Sequence, residues 1–202
     1  RELARKVMNK PEEINLALAK PPEKILQIAY IVYENQKAQL IKHTLKSKNL
    51  QSVLVFCSTK TKTKDVAREL RQAGFSVSDI HSDLDQRTRE EVLGKFKARQ
   101  INILVATDIL SRGIDIDNID LVINYDVPGD GEDYIHRIGR TARAESDGVA
   151  MTMVNENDQY NFHKIEELLE KTVYKAPMPK GFEPGPAYNP NKRGSYQRKS
   201  FH

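Results

Sequence analysis

The clearest potential for chemistry lies in one nine-residue stretch, "HRIGRTARA", residues 136–144. Arg137, Arg140 and Arg143 recur at every third position beside His136, and no Asp or Glu falls among them. On a helix, like charges three or four apart cost roughly 0.2–0.5 kcal/mol per pair. Helical winding would spread the three guanidinia over about 120° of one face and roughly 9 Å of axis. Each is permanently charged and offers a planar fork matched to phosphate oxygens. A salt-bridged helix is the alternative, yet the nearest acids, Asp133 and Glu145, are too few to pair three arginines. Gly139 lowers helix propensity by roughly 1 kcal/mol against Ala, which speaks for a close backbone approach rather than helix stability. A polyanionic partner is favoured.

Three other stretches carry weaker signals of the same kind. Ser58-Thr59 follows the apolar run "SVLVFC", where two hydroxyls either cap the next helix or meet a phosphate at its free N–H groups. In "SDLDQRTRE", Ser82, Asp83 and Asp85 can cap, while Gln86 and Arg89 sit one turn apart. That pair is either a solvated face or a grip on a nucleic-acid backbone. In "TDILSRGIDI", Thr107 and Asp108 end another apolar run, and Arg112-Gly113 precede Asp115. Gly113 permits a tight turn or close ligand approach, and Asp115 could accept from a ribose hydroxyl. A capped turn with an Arg–Asp surface pair reads the same residues equally well.

These stretches need elements to hold them. Six apolar, β-branched runs are predicted as strands: "QIAYIVY", "SVLVFC", "FSVSDIH", "NILVAT", "LVINYD" and "GVAMTMV". Most are continuous rather than alternating, as in strands covered on both faces. Between them, helical periodicity predicts helices over Gln36–Lys46, Lys62–Ala73, Gln86–Ala98, Asp133–Arg143 and Asn155–Glu170, with Gly74 suited to end the second. The alternation predicts an α/β fold, a doubly wound, mostly parallel sheet with right-handed crossovers. In such sheets function collects at the carboxyl ends of the strands, where all four stretches fall.

At 202 residues the chain can hold one ordinary domain with extensions. Its single cysteine, Cys57, cannot form an internal disulfide, so a reducing cytoplasmic setting is expected. No apolar run approaches the roughly 20 residues that span a bilayer. The net charge of +4 is uneven: residues 171–202 hold seven basic residues and one acid, a net +6, against −2 for the remainder. Residues 1–24, charged and ending in Pro21-Pro22, read as an incoming linker, and the start at Arg1 suggests a fragment. Residues 176–202, rich in Pro, Gly, Asn and Lys, read as an extended or disordered basic tail.

Taken in order, the four stretches resemble the second RecA-like domain of DEAD-box ATP-dependent RNA helicases over roughly residues 25–170. "VFCST" looks like that family's motif IV, "QRTR" its Q-x-x-R motif, "ATDILSRGIDI" its motif V, and "HRIGRTAR" its motif VI. Departures are small: Ala142 and Ser82 stand where Gly is usual, and Leu110-Ser111 where two small residues are common. The resemblance implies domains of 1–24 (linker and end of a first domain), 25–175 (the second RecA-like domain) and 176–202 (tail). It implies arginine fingers in Arg140 and Arg143, with Gly113 and Asp115 also on ATP. It places RNA contacts at Ser58, Thr59, Gln86, Arg89, Thr107 and Asp108, and interdomain coupling at Arg112, His136 and Arg137. ATP with Mg²⁺, an RNA bound through its backbone and the first RecA-like domain are the implied partners, with a bacterial source expected.

The chain contains no G-x-x-x-x-G-K-S/T phosphate loop and no "DEAD" or "SAT" sequence, which in this family belong to the first domain. Half an enzyme, inactive alone, is the resulting expectation. Rival readings are a DNA-directed superfamily 2 helicase and an RNA-binding module in which the tail, with Tyr188, Tyr196 and Phe201 among its cations, does the binding. A nuclease or metal enzyme lacks support, since His81 and His136 lie in separate loops.

Overall fold

The computed structural model describes residues 25–46, 50–107, 116, 118–141 and 148–191. The chain runs through β1 (Ile25–Ile31), a 3₁₀ turn (Glu34–Gln36), α1 (Lys37–Lys46), β2 (Val53–Cys57), α2 (Lys60–Gln72), β3 (Val77–Ile80) and α3 (Gln86–Lys97). It continues through β4 (Ile103–Thr107), β5 (Leu121–Asn124), α4 (Gly131–Ile138), a 3₁₀ turn (Gly139–Thr141), β6 (Gly148–Val154), α5 (Gln159–Leu168) and β7 (Tyr174–Lys175).

The seven strands form one sheet in the order β3-β4-β2-β5-β6-β1-β7, and every pairing is parallel. All six strands expected from the apolar runs are present. Their continuity has the anticipated cause, since residues of β2 alternate between two buried faces. Val53, Val55 and Cys57 pack with Leu40 and Ile41 of α1 and Val66 and Leu70 of α2. Leu54 and Phe56 point the other way, toward Phe96 of α3. Tyr134 and Ile138 of α4 and Phe162 and Ile165 of α5 close that second face over β1 and β6.

Helix boundaries follow local chemistry. Thr59 and Asp85 cap α2 and α3 by accepting from the backbone N–H groups of Lys62 and Thr88. Gly74, at φ +87°, ends α2 with its N–H on the Arg71 carbonyl. The last long helix starts at Gln159 rather than at Asn155, because the Asn155 side chain accepts from the N–H groups of Asn157 and Asp158 and holds a turn there. The largest boundary change concerns the arginine stretch: α4 begins at Gly131, capped by Asp130, and stops at Ile138.

Beyond α5 the chain adds one more short strand. β7, absent from the predicted strands, pairs with β1 through Ile28↔Tyr174 and Ala29↔Lys175. Residues 176–191 then follow as a packed strap. Phe182 meets His43 edge-on at 5.4 Å, and Gly185 lies so close to Ile31 that an added Cβ would fall 1.8 Å from its carbonyl oxygen. Gln159 fastens the strap at both ends of its amide, donating to the Ala187 carbonyl and accepting from the Asn189 N–H. Tyr188 donates to Glu166, which also takes Lys175 and the Val173 N–H. A composition poor in core formers thus conceals enough specific bonds to order this segment. The remainder of the tail, 192–202, and the 1–24 linker lie outside the described residues.

Candidate functional site

Parallel pairing brings the carboxyl ends of the strands to one edge. Cys57 is level with Thr107, Phe56 with Asn124, Ile80 with Ala106, and Asn124 with Thr152. Ser58-Thr59, Thr107, the start of α3 and the Arg137 guanidinium lie toward that edge. The Gly139–Thr141 turn lies instead at the amino ends of β5 and β6, with the Arg140 carbonyl on the Ile119 N–H and Thr141 against Gly148. Asp108, Arg112, Gly113, Asp115 and Arg143 lie outside the described residues.

At its centre is a residue that sequence reasoning missed, Asp126, just past β5 and 4% exposed. One carboxylate oxygen, Oδ2, accepts from the backbone N–H and the hydroxyl of Ser58, both at 2.8 Å. The other, Oδ1, takes Lys62 Nζ at 2.7 Å and the fully buried Lys37 Nζ at 3.1 Å. Glu34 completes the group, 2.8 Å from Lys37 and 2.9 Å from Lys62. Burial alone would raise the Asp126 pKa, but the Lys37 charge, the Lys62 bond and the Ser58 N–H together hold it at about 2. Lys62 is desolvated, which would lower its pKa, yet its bonds to Asp126 and Glu34 raise it above the usual lysine range. Asp126 and Lys62 did leave a trace in the sequence, as opposite charges at two adjacent strand ends, but no periodicity marks such a pair.

The hydroxyl pair of motif IV is thus already engaged. Thr59 caps α2, and Ser58 donates to Asp126. In the next loop, Arg89 Nη1 donates to Gln86 Oε1 at 3.2 Å and Nη2 to the Leu84 carbonyl at 3.3 Å. Its buried Nε has no hydrogen-bond partner, the only such side-chain atom among the described residues. Thr107 is half-buried at the end of β4. His81 is buried, its Nδ1 accepting from the Asp83 N–H and its Nε2 lying 3.2 Å from Asp79. Among the described residues no group of three or more His, Cys, Asp and Glu could hold a metal.

The arginine stretch divides. Arg137 is turned inward, 2% exposed, donating from Nη1 to Asn124 Oδ1 at 3.2 Å and to the Asp126 carbonyl at 2.9 Å, with its guanidinium 5.1 Å from the Phe56 ring centre. Asn124 in turn donates to Thr152 at 3.1 Å. His136 points outward. Arg140 sits in the 3₁₀ turn beyond α4, half-buried, so it does not share a helical face with Arg137. The turn itself is pinned: Thr141 is fully buried and donates to the Ile138 carbonyl, while the Arg140 carbonyl accepts from the Ile119 N–H.

At Gly139 an added Cβ would meet no atom of the chain within 4 Å. The tight glycine is Gly148 instead, whose Cβ would fall 2.4 Å from the Thr141 carbonyl oxygen. Gly148→Ala is expected to push that turn aside and destabilise the fold by about 1–3 kcal/mol, read as a shift of the urea midpoint. A stability equal to wild type would refute the close packing of β6 on the turn. Arg140, a permanent cation, stands half-buried on this fixed turn.

Comparison with known proteins agrees with this geometry. Residues 36–145 match the family described as helicase conserved C-terminal domain. The DEAD-box ATP-dependent RNA helicase CshA of Geobacillus kaustophilus is 37% identical over 180 residues, 89% of this chain and 38% of that protein. The probable ATP-dependent RNA helicase MJ0669 of Methanocaldococcus jannaschii is 40% identical over 173 residues, 86% of this chain and 46% of that protein. The chain therefore spans less than half of either. Among solved structures, the C-terminal domain of the DEAD-box protein Dbp5 superposes with a TM-score of 0.70 at 28% identity, over 76% of this chain and 89% of that one. An all-parallel sheet flanked by helices, and that likeness across most of its length, place the chain in the helicase conserved C-terminal domain family, as the second RecA-like domain of the DEAD-box RNA helicases.

Proposed function

We infer that this chain works as half of an ATP-dependent RNA helicase, inactive alone and completed by a first RecA-like domain. What supports the reading is Arg140 on a turn fixed by buried Thr141, three residues beyond an Arg137 whose guanidinium reaches the strand ends that carry Ser58 and Thr107. The first domain would hold ATP and Mg²⁺ and so supply the phosphoryl group. Arg140, joined by Arg143, would neutralise the charge that develops on that group, while Gly113 and Asp115 would meet the ribose side. Arg112, His136 and Arg137 would link cleft closure to the RNA contacts.

On the RNA side, Arg89, Gln86, Thr59, Thr107 and Asp108 would hold sugars and phosphates without reading sequence. The Arg89 guanidinium, held by Gln86 and the Leu84 carbonyl at the start of α3, supports this as a positioned cation. RNA and ATP would then favour the closed state by binding it better than the open one, and closure would separate short duplexes. The test joins the chain to a first RecA-like domain in one polypeptide and measures ATP hydrolysis with and without RNA. Stimulation by RNA, weak stimulation by DNA and negligible hydrolysis by the chain alone are expected. Equal stimulation by DNA, or hydrolysis by the chain alone, would overturn the reading.

A further inference from the structure

We propose that Asp126 is a positioning residue that ties the RNA-side loop to the arginine turn, so that a contact at one resets the other. This rests on the functional reading above and extends it to a residue outside the four recognised stretches. The connection is short and continuous. The Asp126 carboxylate fixes the Ser58 N–H and hydroxyl, and with them the loop that leads into α2, which Thr59 caps. The backbone of the same residue holds the other end. Its carbonyl accepts from Arg137, and the N–H groups of Tyr125 and Asp126 both reach the Phe56 carbonyl.

Arg137 lies three residues before Arg140 and is buried, its guanidinium over the Phe56 ring and bonded to Asn124. A shift of the Ser58 loop cannot be absorbed by water here, because Asp126 and Arg137 are nearly solvent-free. It must move either the carboxylate or the guanidinium. Packed networks of this type transmit displacement because they have few alternative arrangements. Lys62 and Lys37 carry out a separate task. They compensate the buried carboxylate, which leaves Asp126 ionised and able to accept four hydrogen bonds at once.

The experiment uses a two-domain protein and reads ATP hydrolysis against RNA concentration for wild type, Asp126→Asn and Lys62→Met. Asp126→Asn preserves size and one acceptor oxygen but removes the charge. The ratio of RNA-stimulated to unstimulated rate is expected to fall about tenfold, the size of one lost charge-assisted bond. The RNA concentration giving half-maximal stimulation is expected to rise. Lys62→Met loosens the same carboxylate from its exposed side, and a smaller fall of about threefold is expected. That variant decides the matter if Asp126→Asn does not fold.

Loss of fold alone would lower stimulated and unstimulated rates by one common factor. A common factor in both variants, or an unchanged ratio, overturns the proposal while leaving the helicase reading intact. A wild-type protein that RNA does not stimulate overturns both.

Discussion

Arg140→Ala, made in a protein that carries both RecA-like domains, is expected to lower RNA-stimulated ATP turnover by about 10³–10⁵-fold, the range typical of an arginine finger. The physical reason is the timing of the interaction. A guanidinium fork strengthens its hold as negative charge moves onto the transferred phosphoryl oxygens, so its loss falls on the transition state and therefore on kcat. Substrate affinity should change far less. The turn around Arg140 is held by main-chain bonds and by Thr141, so the variant should fold. Single-turnover hydrolysis with saturating RNA separates the two quantities. Turnover within tenfold of wild type would remove Arg140 from the catalytic role and leave Arg143 to carry it.

Asp126→Ala carries the largest expected effect on stability. Lys37 is fully buried, and deleting its principal partner leaves an ammonium in the core with only half-exposed Glu34 beside it. Breaking a buried pair from one side costs about 3–5 kcal/mol. For a domain of this size, that lowers Tm by roughly 6–20 °C. The pH dependence has a definite sign. The Asp126 carboxyl titrates at about 2 in the folded state, below its ordinary value of 3.8. Its ionisation therefore stabilises the fold fully above about pH 4, and this share is lost as the pH falls through 2. Urea unfolding of wild type and variant should show a gap that is constant from pH 7 to pH 5 and narrows by about 2–3 kcal/mol in strong acid. A gap that widens in acid would show that the carboxylate is not held by the two lysines.

Much of this protein can be read from its residues in order. Continuous runs such as "SVLVFC" and "NILVAT" call for strands covered on both faces, and they lie side by side in the interior of the sheet. The alternation of such runs with helical stretches requires parallel pairing, which by itself carries every strand-end loop to one edge. Local caps were equally legible, because Thr59, Asp85 and Gly74 act on backbone groups two or three residues away. β7 escaped notice because two residues are too few to set a period. The packing of the strap from 176 to 191 has no local signal, because its order comes from single bonds to distant residues, Gln159 and Glu166, rather than from its own composition.

The division is sharpest in "HRIGRTARA". From the sequence alone, the charge, the spacing and the demand for an anion are all determined, since they depend on residue type and position along the chain. Which arginine meets that anion is not. Helix α4 ends at Ile138, and the change of winding separates Arg140 from Arg137. Arg137 then finds its acceptors in Asn124 and Asp126, thirteen and eleven residues back along the chain. The same holds for Asp126, whose partners Lys37 and Ser58 lie 89 and 68 residues away. Periodicity reports on neighbours within a turn or a strand, whereas a buried charge is satisfied by whatever the closed sheet brings to it, and only the tertiary structure decides that.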